Sequence, residues 1–134
     1  MPLRISMKDG EEIIINGALI RATGRVSLEI KNAATVLRGK ELMRVEEATT
    51  PARRLYLACM MAYVDGEGRP AHQESLVELI RDLLDALQSQ AARNCLIIIA
   101  QKVACGEFYK ALSDCRWLIS YEAKALARDL PEAV

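Results

Sequence analysis

Hydrophobic and polar positions alternate at the front of the chain and then change period. Leu3, Ile5 and Met7 alternate with Arg4, Ser6 and Lys8, the period of a half-buried strand. Asp9-Gly10 makes a turn. Asn16-Gly17 is a stronger one, because both residues tolerate the positive φ of a type I′ hairpin. Centring the hairpin there pairs Ile15 with Ala18, Ile14 with Leu19, Ile13 with Ile20 and Glu12 with Arg21. Both hairpin faces are apolar, so each needs a cover. Thr23-Gly24 turns the chain again, Val26, Leu28 and Ile30 alternate inward, and Ala34–Arg38 reads as a fifth short strand ended by Gly39. The expectation is a small five-stranded antiparallel sheet or barrel.

After Lys40 the spacing becomes helical. Residues 41–48 have room for a helical turn or two. Thr50 is a ready N-cap with Pro51 behind it, opening a helix over residues 51–64 that carries Leu55, Ala58, Cys59 and Ala62 on one side. The polar, glycine-rich stretch 65–70 reads as a loop. A helix is expected from about Ser75 to Gln90, with Leu76, Leu79/Ile80, Leu83/Leu84 and Leu87 on its stripe. Another is expected over 91–105, although Leu96-Ile-Ile-Ile99 is rich in β-branched residues. Gly106 caps it. A last helix over 107–128 points Phe108, Leu112, Cys115, Leu118/Ile119 and Leu126 inward and stops at Pro131. The fold class is therefore α+β, with a small β-module over residues 1–44 followed by a bundle of about four helices over 45–134.

Composition narrows the chemistry. No run of residues nears the roughly 20 apolar positions of a membrane helix, and the first residues lack an apolar signal core, so a soluble cytoplasmic protein with no membrane contact is expected. Cys59, Cys95, Cys105 and Cys115 form no CxxC pair, and His72 is the sole histidine. A metal site or other cofactor is not expected. His72 has no partnered nucleophile in sequence, and the acidic stretch 65–67 would repel a phosphate. No catalytic constellation emerges, and the chain reads as a non-enzyme.

The net charge of +0 hides an asymmetry. Residues 1–44 carry eight Lys/Arg against five Asp/Glu, a balance of +3, and the remainder carries ten against thirteen, a balance of −3. A polyanion would meet the front. Arg4, Lys8, Arg21, Arg25, Lys31 and Arg38 are the candidate contacts, at strand ends and on polar strand faces. All six aromatics (Tyr56, Tyr63, Phe108, Tyr109, Trp117, Tyr121) lie in the helical half, so base stacking on the β-module is excluded. Trp117 is assigned to the core. Tyr56, Tyr63 and Tyr109 are the candidates for a protein-partner surface.

The stretches LRISMKDGEEIIINGALIR, GRVSLEIKNAATVLRGKELM and TPARRLYLACMMAY resemble, in order, the FlbT family of flagellar regulators. That resemblance implies a post-transcriptional regulator that binds the 5′ untranslated region of flagellin mRNA, represses translation or promotes decay, and works with the small helical protein FlaF. An alternative role is an adaptor or secretion chaperone acting on flagellin or FlaF, with indirect RNA effects. The five-strand front is also similar to the mRNA regulator CsrA, whose relatives bind RNA with first- and last-strand edges and commonly dimerise. By position those edges are Leu3-Arg4-Ile5 and Val36-Leu37-Arg38, and a homodimer is a further expectation, although the helical extension works against a CsrA-style swap.

Overall fold

The computed structural model describes residues 3–129 of the 134-residue chain. Five strands come first: β1 (Leu3–Met7), β2 (Glu12–Ile15), β3 (Ala18–Arg21), β4 (Val26–Ile30) and β5 (Val36–Arg38). Two single 3-10 turns, Gly39–Glu41 and Val45–Glu47, lead into α1 (Pro51–Val64), α2 (Arg69–Ala86), α3 (Gln90–Ala104) and α4 (Phe108–Asp129). The α+β architecture is the one the periodicity predicts. The strands form two antiparallel sheets rather than one, β1–β4 and β3–β2–β5.

The hairpin register is as expected, from Glu12↔Arg21 to Ile15↔Ala18. Asn16 and Gly17 take φ of 49° and 84° in its turn. Asn16 also ties the hairpin to β5: its Oδ1 accepts from the Thr35 N–H at 2.9 Å, and its own N–H donates to the Thr35 carbonyl. The two faces of β2 then find different covers. Ile13 packs with Ile5, Met7 and Ala22, closing the two sheets on each other. Ile14 and Leu37 turn the other way and join the helical core. β3 overhangs, since the facing sheet has only two strands, and its four residues are all exposed.

Thr50 caps α1 by accepting the Arg53 N–H, with Pro51 in the first turn. α2 begins at Arg69, earlier than Ser75, and ends at Ala86 rather than Gln90. The reason lies in the loop: the Asp65 carboxylate accepts from the Gly68 N–H at 3.0 Å and contacts His72 at 3.0 Å, so the turn is fastened to a helix that starts at the pre-set φ of Pro70. Ser89 caps α3 through the Ala92 N–H. Leu96-Ile-Ile-Ile99 is helical because Ala92, Leu96, Ile99 and Val103 make one buried stripe.

α1 and α4 run antiparallel, with the Cys59 thiol donating to the Phe108 carbonyl at one end and Glu122 accepting the Ala52 N–H at the other. Beyond Glu122, α4 passes the start of α1, which leaves Leu126 48% exposed instead of inward. Trp117 is also corrected: it is 47% exposed. Pro131 lies outside the described residues.

Three tyrosines fasten residues 36–41 to the helices. The Tyr63 hydroxyl accepts from the Val36 N–H at 3.3 Å. The Tyr56 hydroxyl donates to the Glu41 carbonyl at 2.8 Å, and the Tyr109 hydroxyl donates to the Glu41 carboxylate. The other Glu41 oxygen accepts from the Arg38 N–H at 3.1 Å.

Gly17 gives a stability test. A Cβ there would meet the Val64 carbonyl oxygen at 2.9 Å, whereas one at Gly24 would meet nothing, although both have positive φ. Gly24→Ala should cost about 1–2 kcal/mol from left-handed strain alone. Gly17→Ala should cost a further ~1 kcal/mol or more from overpacking against α1. Equal urea midpoints for the two variants would show that the turn does not bear on α1.

The Glu41 bond gives a second. It holds the Tyr109 phenol above the usual 10.0, with burial adding to the effect. Because the folded value is raised, the stabilisation is complete below pH ~10 and is lost as pH climbs through that raised value. In an alkaline absorbance titration, Glu41→Gln should bring one tyrosine down toward its ordinary value, and most of that change should vanish in a Tyr109→Phe background. Superimposable curves for wild type and Glu41→Gln would refute the coupling.

Candidate nucleic-acid interface

The pairing of β1 with β4 decides where the front cations go. Leu3↔Ile30, Ile5↔Leu28 and Met7↔Val26 share the inner face, so Arg4↔Glu29 and Ser6↔Ser27 occupy the outer one. All four outer residues are exposed. Lys8 and Arg25 follow the Met7–Val26 end of this ladder, and Lys31 follows the Ile30 end. Arg38 joins them from the other sheet. It pairs with Ile13 in register, and its guanidinium donates to the Ser6 carbonyl at 3.2 Å. This bond brings the first and last strands together and uses one of five guanidinium donors, leaving others to meet a phosphate.

The candidate cations fall into two groups. Arg4, Lys8, Arg25, Lys31 and Arg38 are exposed and, among the described residues, none is ion-paired with a carboxylate. Arg21 stands apart, 3.6 Å from Glu12, which also binds Arg44 at 3.0 Å. Arg44 was not among the sequence candidates; only the folded register shows that it shares this carboxylate. Exposed pairs of this kind contribute little to stability, but they do neutralise each other toward a polyanion.

The tyrosine candidates differ in exposure. Tyr56 is 2% exposed and belongs to the core, with the Arg116 guanidinium 5.9 Å above its ring. It has no access to a partner. Tyr63 is half-buried and tilted against Tyr109 at 5.3 Å. Tyr109, 46% exposed, is the most open of the three. Glu41, which gathers Arg38, Tyr56 and Tyr109, had no sequence signal beyond its place two residues past Gly39.

A different apolar surface lies beside β3. Leu19 is 63% exposed, and it borders a groove lined by Ile14, Leu42, Met43, Met60 and Met61. Of the four thiols only Cys105, at the end of α3, is exposed. Cys59 and Cys115 are buried, and burial with the nearby Asp114 charge pushes Cys95 up to about 11. Among the described residues there is no group of His, Cys, Asp and Glu suited to a metal, and no helix is long and apolar enough to cross a membrane.

Comparison with known proteins adds to this geometry. The family described as flagellar protein FlbT matches residues 3–126. A probable flagellum biosynthesis repressor protein FlbT from a Caulobacter species is 37% identical over 127 residues, 94% of this chain and 97% of the relative. The flagellum biosynthesis repressor protein FlbT of Caulobacter vibrioides is 35% identical over 94% of this chain and 90% of its own length. A probable flagellum biosynthesis repressor protein FlbT of Agrobacterium fabrum is 36% identical, covering 93% of this chain and 84% of its own. No solved structure matches. With the match spanning both sheets and all four helices, this chain belongs to the FlbT family of flagellar proteins.

Proposed function

We propose that this protein is a non-catalytic, cytoplasmic post-transcriptional regulator of flagellin synthesis. It contacts the 5′ untranslated leader of flagellin mRNA and represses translation or promotes decay of the transcript. The supporting observation is the rim of Arg4, Lys8, Arg25, Lys31 and Arg38, exposed and free of carboxylate partners among the described residues. Family relatives named as flagellum biosynthesis repressors support the regulatory role. The rim offers charge and hydrogen-bond donors to phosphates, which position an RNA without reading its bases.

Binding of this kind weakens linearly in log–log terms with salt, by about 0.7–0.9 units for each phosphate contact. Arg4→Ala combined with Arg38→Ala should weaken binding to a flagellin leader in a filter assay and flatten that slope by about 1.4–1.8 units. Arg21→Ala should change the slope less, because Glu12 already faces it. An unaltered slope in a folded double variant removes Arg4 and Arg38 from the interface.

The β3 edge favours a second reading. Its exposed Leu19 and Ile20 beside a methionine-lined groove suit an added strand from a protein partner such as FlaF or flagellin. Under that reading the chain is an adaptor or secretion chaperone, and RNA effects are indirect. Leu19→Lys should then abolish capture of the partner by nuclease-treated protein while leaving the salt slope for RNA intact. Retained capture would dismiss the β3 edge.

A further inference from the structure

The chain has one tryptophan, and the fold leaves it open. Trp117 projects from the side of α4 away from Phe108, Leu112, Cys115 and Leu118, which supply the core. Its indole lies over the Tyr121 ring one turn on, with centroids 5.7 Å apart and planes 9° from parallel. An indole left nearly half in water forgoes the large burial gain that aromatic residues usually provide.

The surroundings of this stack narrow what it suits. Helical spacing places Lys110 and Ser113 seven and four positions before Trp117, and Ser120 and Lys124 three and seven after it. All four are exposed. Asp114, three positions before Trp117, is the one acid on this side, and none of the four flanking positions is aliphatic. The acids of α4 nearest to it are held elsewhere: Asp114 by Lys102 at 2.5 Å, and Glu122 by the Ala52 N–H. A protein partner would want apolar flanks around the aromatics, whereas this stripe has hydroxyls and ammonium groups.

The stripe also continues the basic rim. Glu41 accepts the Arg38 N–H on one oxygen and the Tyr109 hydroxyl on the other, so the end of β5 and the first turn of α4 meet at a single carboxylate. Lys110 is the next residue. At 1.5 Å per residue, Trp117 lies about 12 Å further along the helix from Tyr109.

We infer that the Trp117–Tyr121 stack is a platform for an unpaired base of single-stranded RNA, with Lys110 and Ser113 contacting the backbone that leads to it from Arg38. Every base presents a π-face, so such stacking tolerates any sequence, whereas the bases of a duplex are already stacked on one another. The inference rests on the RNA-binding reading above and adds the form of the ligand. The rim supplies charge, and the platform selects single strands.

Because Trp117 is the only tryptophan, its emission reports on the platform directly. The test titrates a short oligouridylate strand, and separately a blunt RNA duplex of equal length, into the full chain at low salt, with gel shifts in parallel. The expected result is saturable loss of emission with the single strand and little with the duplex. Trp117→Ala should weaken single-strand binding about 5- to 100-fold at an unchanged salt slope, and Trp117→Phe should retain part of the affinity. Should Trp117→Ala fail to fold, the wild-type titration still decides.

Single-stranded RNA that shifts the protein without altering emission overturns the platform and leaves the basic rim standing. Equal quenching by duplex overturns the strand preference, and emission that responds to a protein partner but to no RNA overturns the platform. RNA of neither form shifting the protein at low salt overturns the RNA-binding reading itself.

Discussion

Residues 36–41 are the joint on which this structure depends. Leu37 buries its side chain in the helical core, and the three residues of β5 supply one side of the sheet containing β2. Tyr63 takes the Val36 N–H, while Tyr56 and Tyr109 close on Glu41. A strand of three residues cannot hold itself in place; its ladder bonds need fixed ends. The helices provide them. In return, Ile14 and Leu37 give the bundle part of its floor, so the core crosses the boundary between strands and helices.

That joint also sets which surfaces stay open. The helices cover the Ile14 and Leu37 face of one sheet, and the second sheet covers its Ile13 face. The outer face of β1–β4 is left for water, and the register puts Arg4 there opposite Glu29, beside Ser6 and Ser27. Arg38, whose strand is fixed at Glu41, meets β1 at the Ser6 backbone carbonyl. The cations are thus presented by a scaffold that the tyrosines hold rigid. A guanidinium attached to a fixed strand loses less freedom on meeting a phosphate than one on a mobile loop.

Local chemistry made much of this legible. Asn16-Gly17 sets the hairpin and its register through positive φ, and Thr50-Pro51 opens α1 through a cap and a fixed φ. Both are signals carried by adjacent residues. The misreadings share a different cause, since each depends on a partner distant in sequence. The start of α2 moves to Arg69 because Asp65 ties its loop to Gly68 and His72. Leu126 is exposed because α1 begins too late to cover it, and Trp117 because the core of α4 is already filled from the other side. Tyr56 looks like part of a partner surface in the sequence since its acceptor, the Glu41 carbonyl, comes from the β-module. The six cations were legible as a set; their division by Glu12 into free and paired groups was not.

The division gives the two open surfaces different chemistry. Arg21 and Arg44 are held by Glu12 at the rim of the groove beside β3, where the exposed side chains are Leu19 and Ile20. Natural edges of this kind are guarded by charge, bulges or cover, and here the only charge on β3 is Arg21, already engaged. A polyanion gains little from an arginine that must first leave a carboxylate, whereas an added strand meets free backbone groups and apolar side chains. The outer face of β1–β4 differs: it carries Arg4, Glu29 and two serines, with Lys8, Arg25 and Lys31 at the ladder ends and no aliphatic group between them. Electrostatics therefore gives the two surfaces opposite character: the cationic rim around β1–β4 suits a polyanion, and the β3 edge suits an apolar strand.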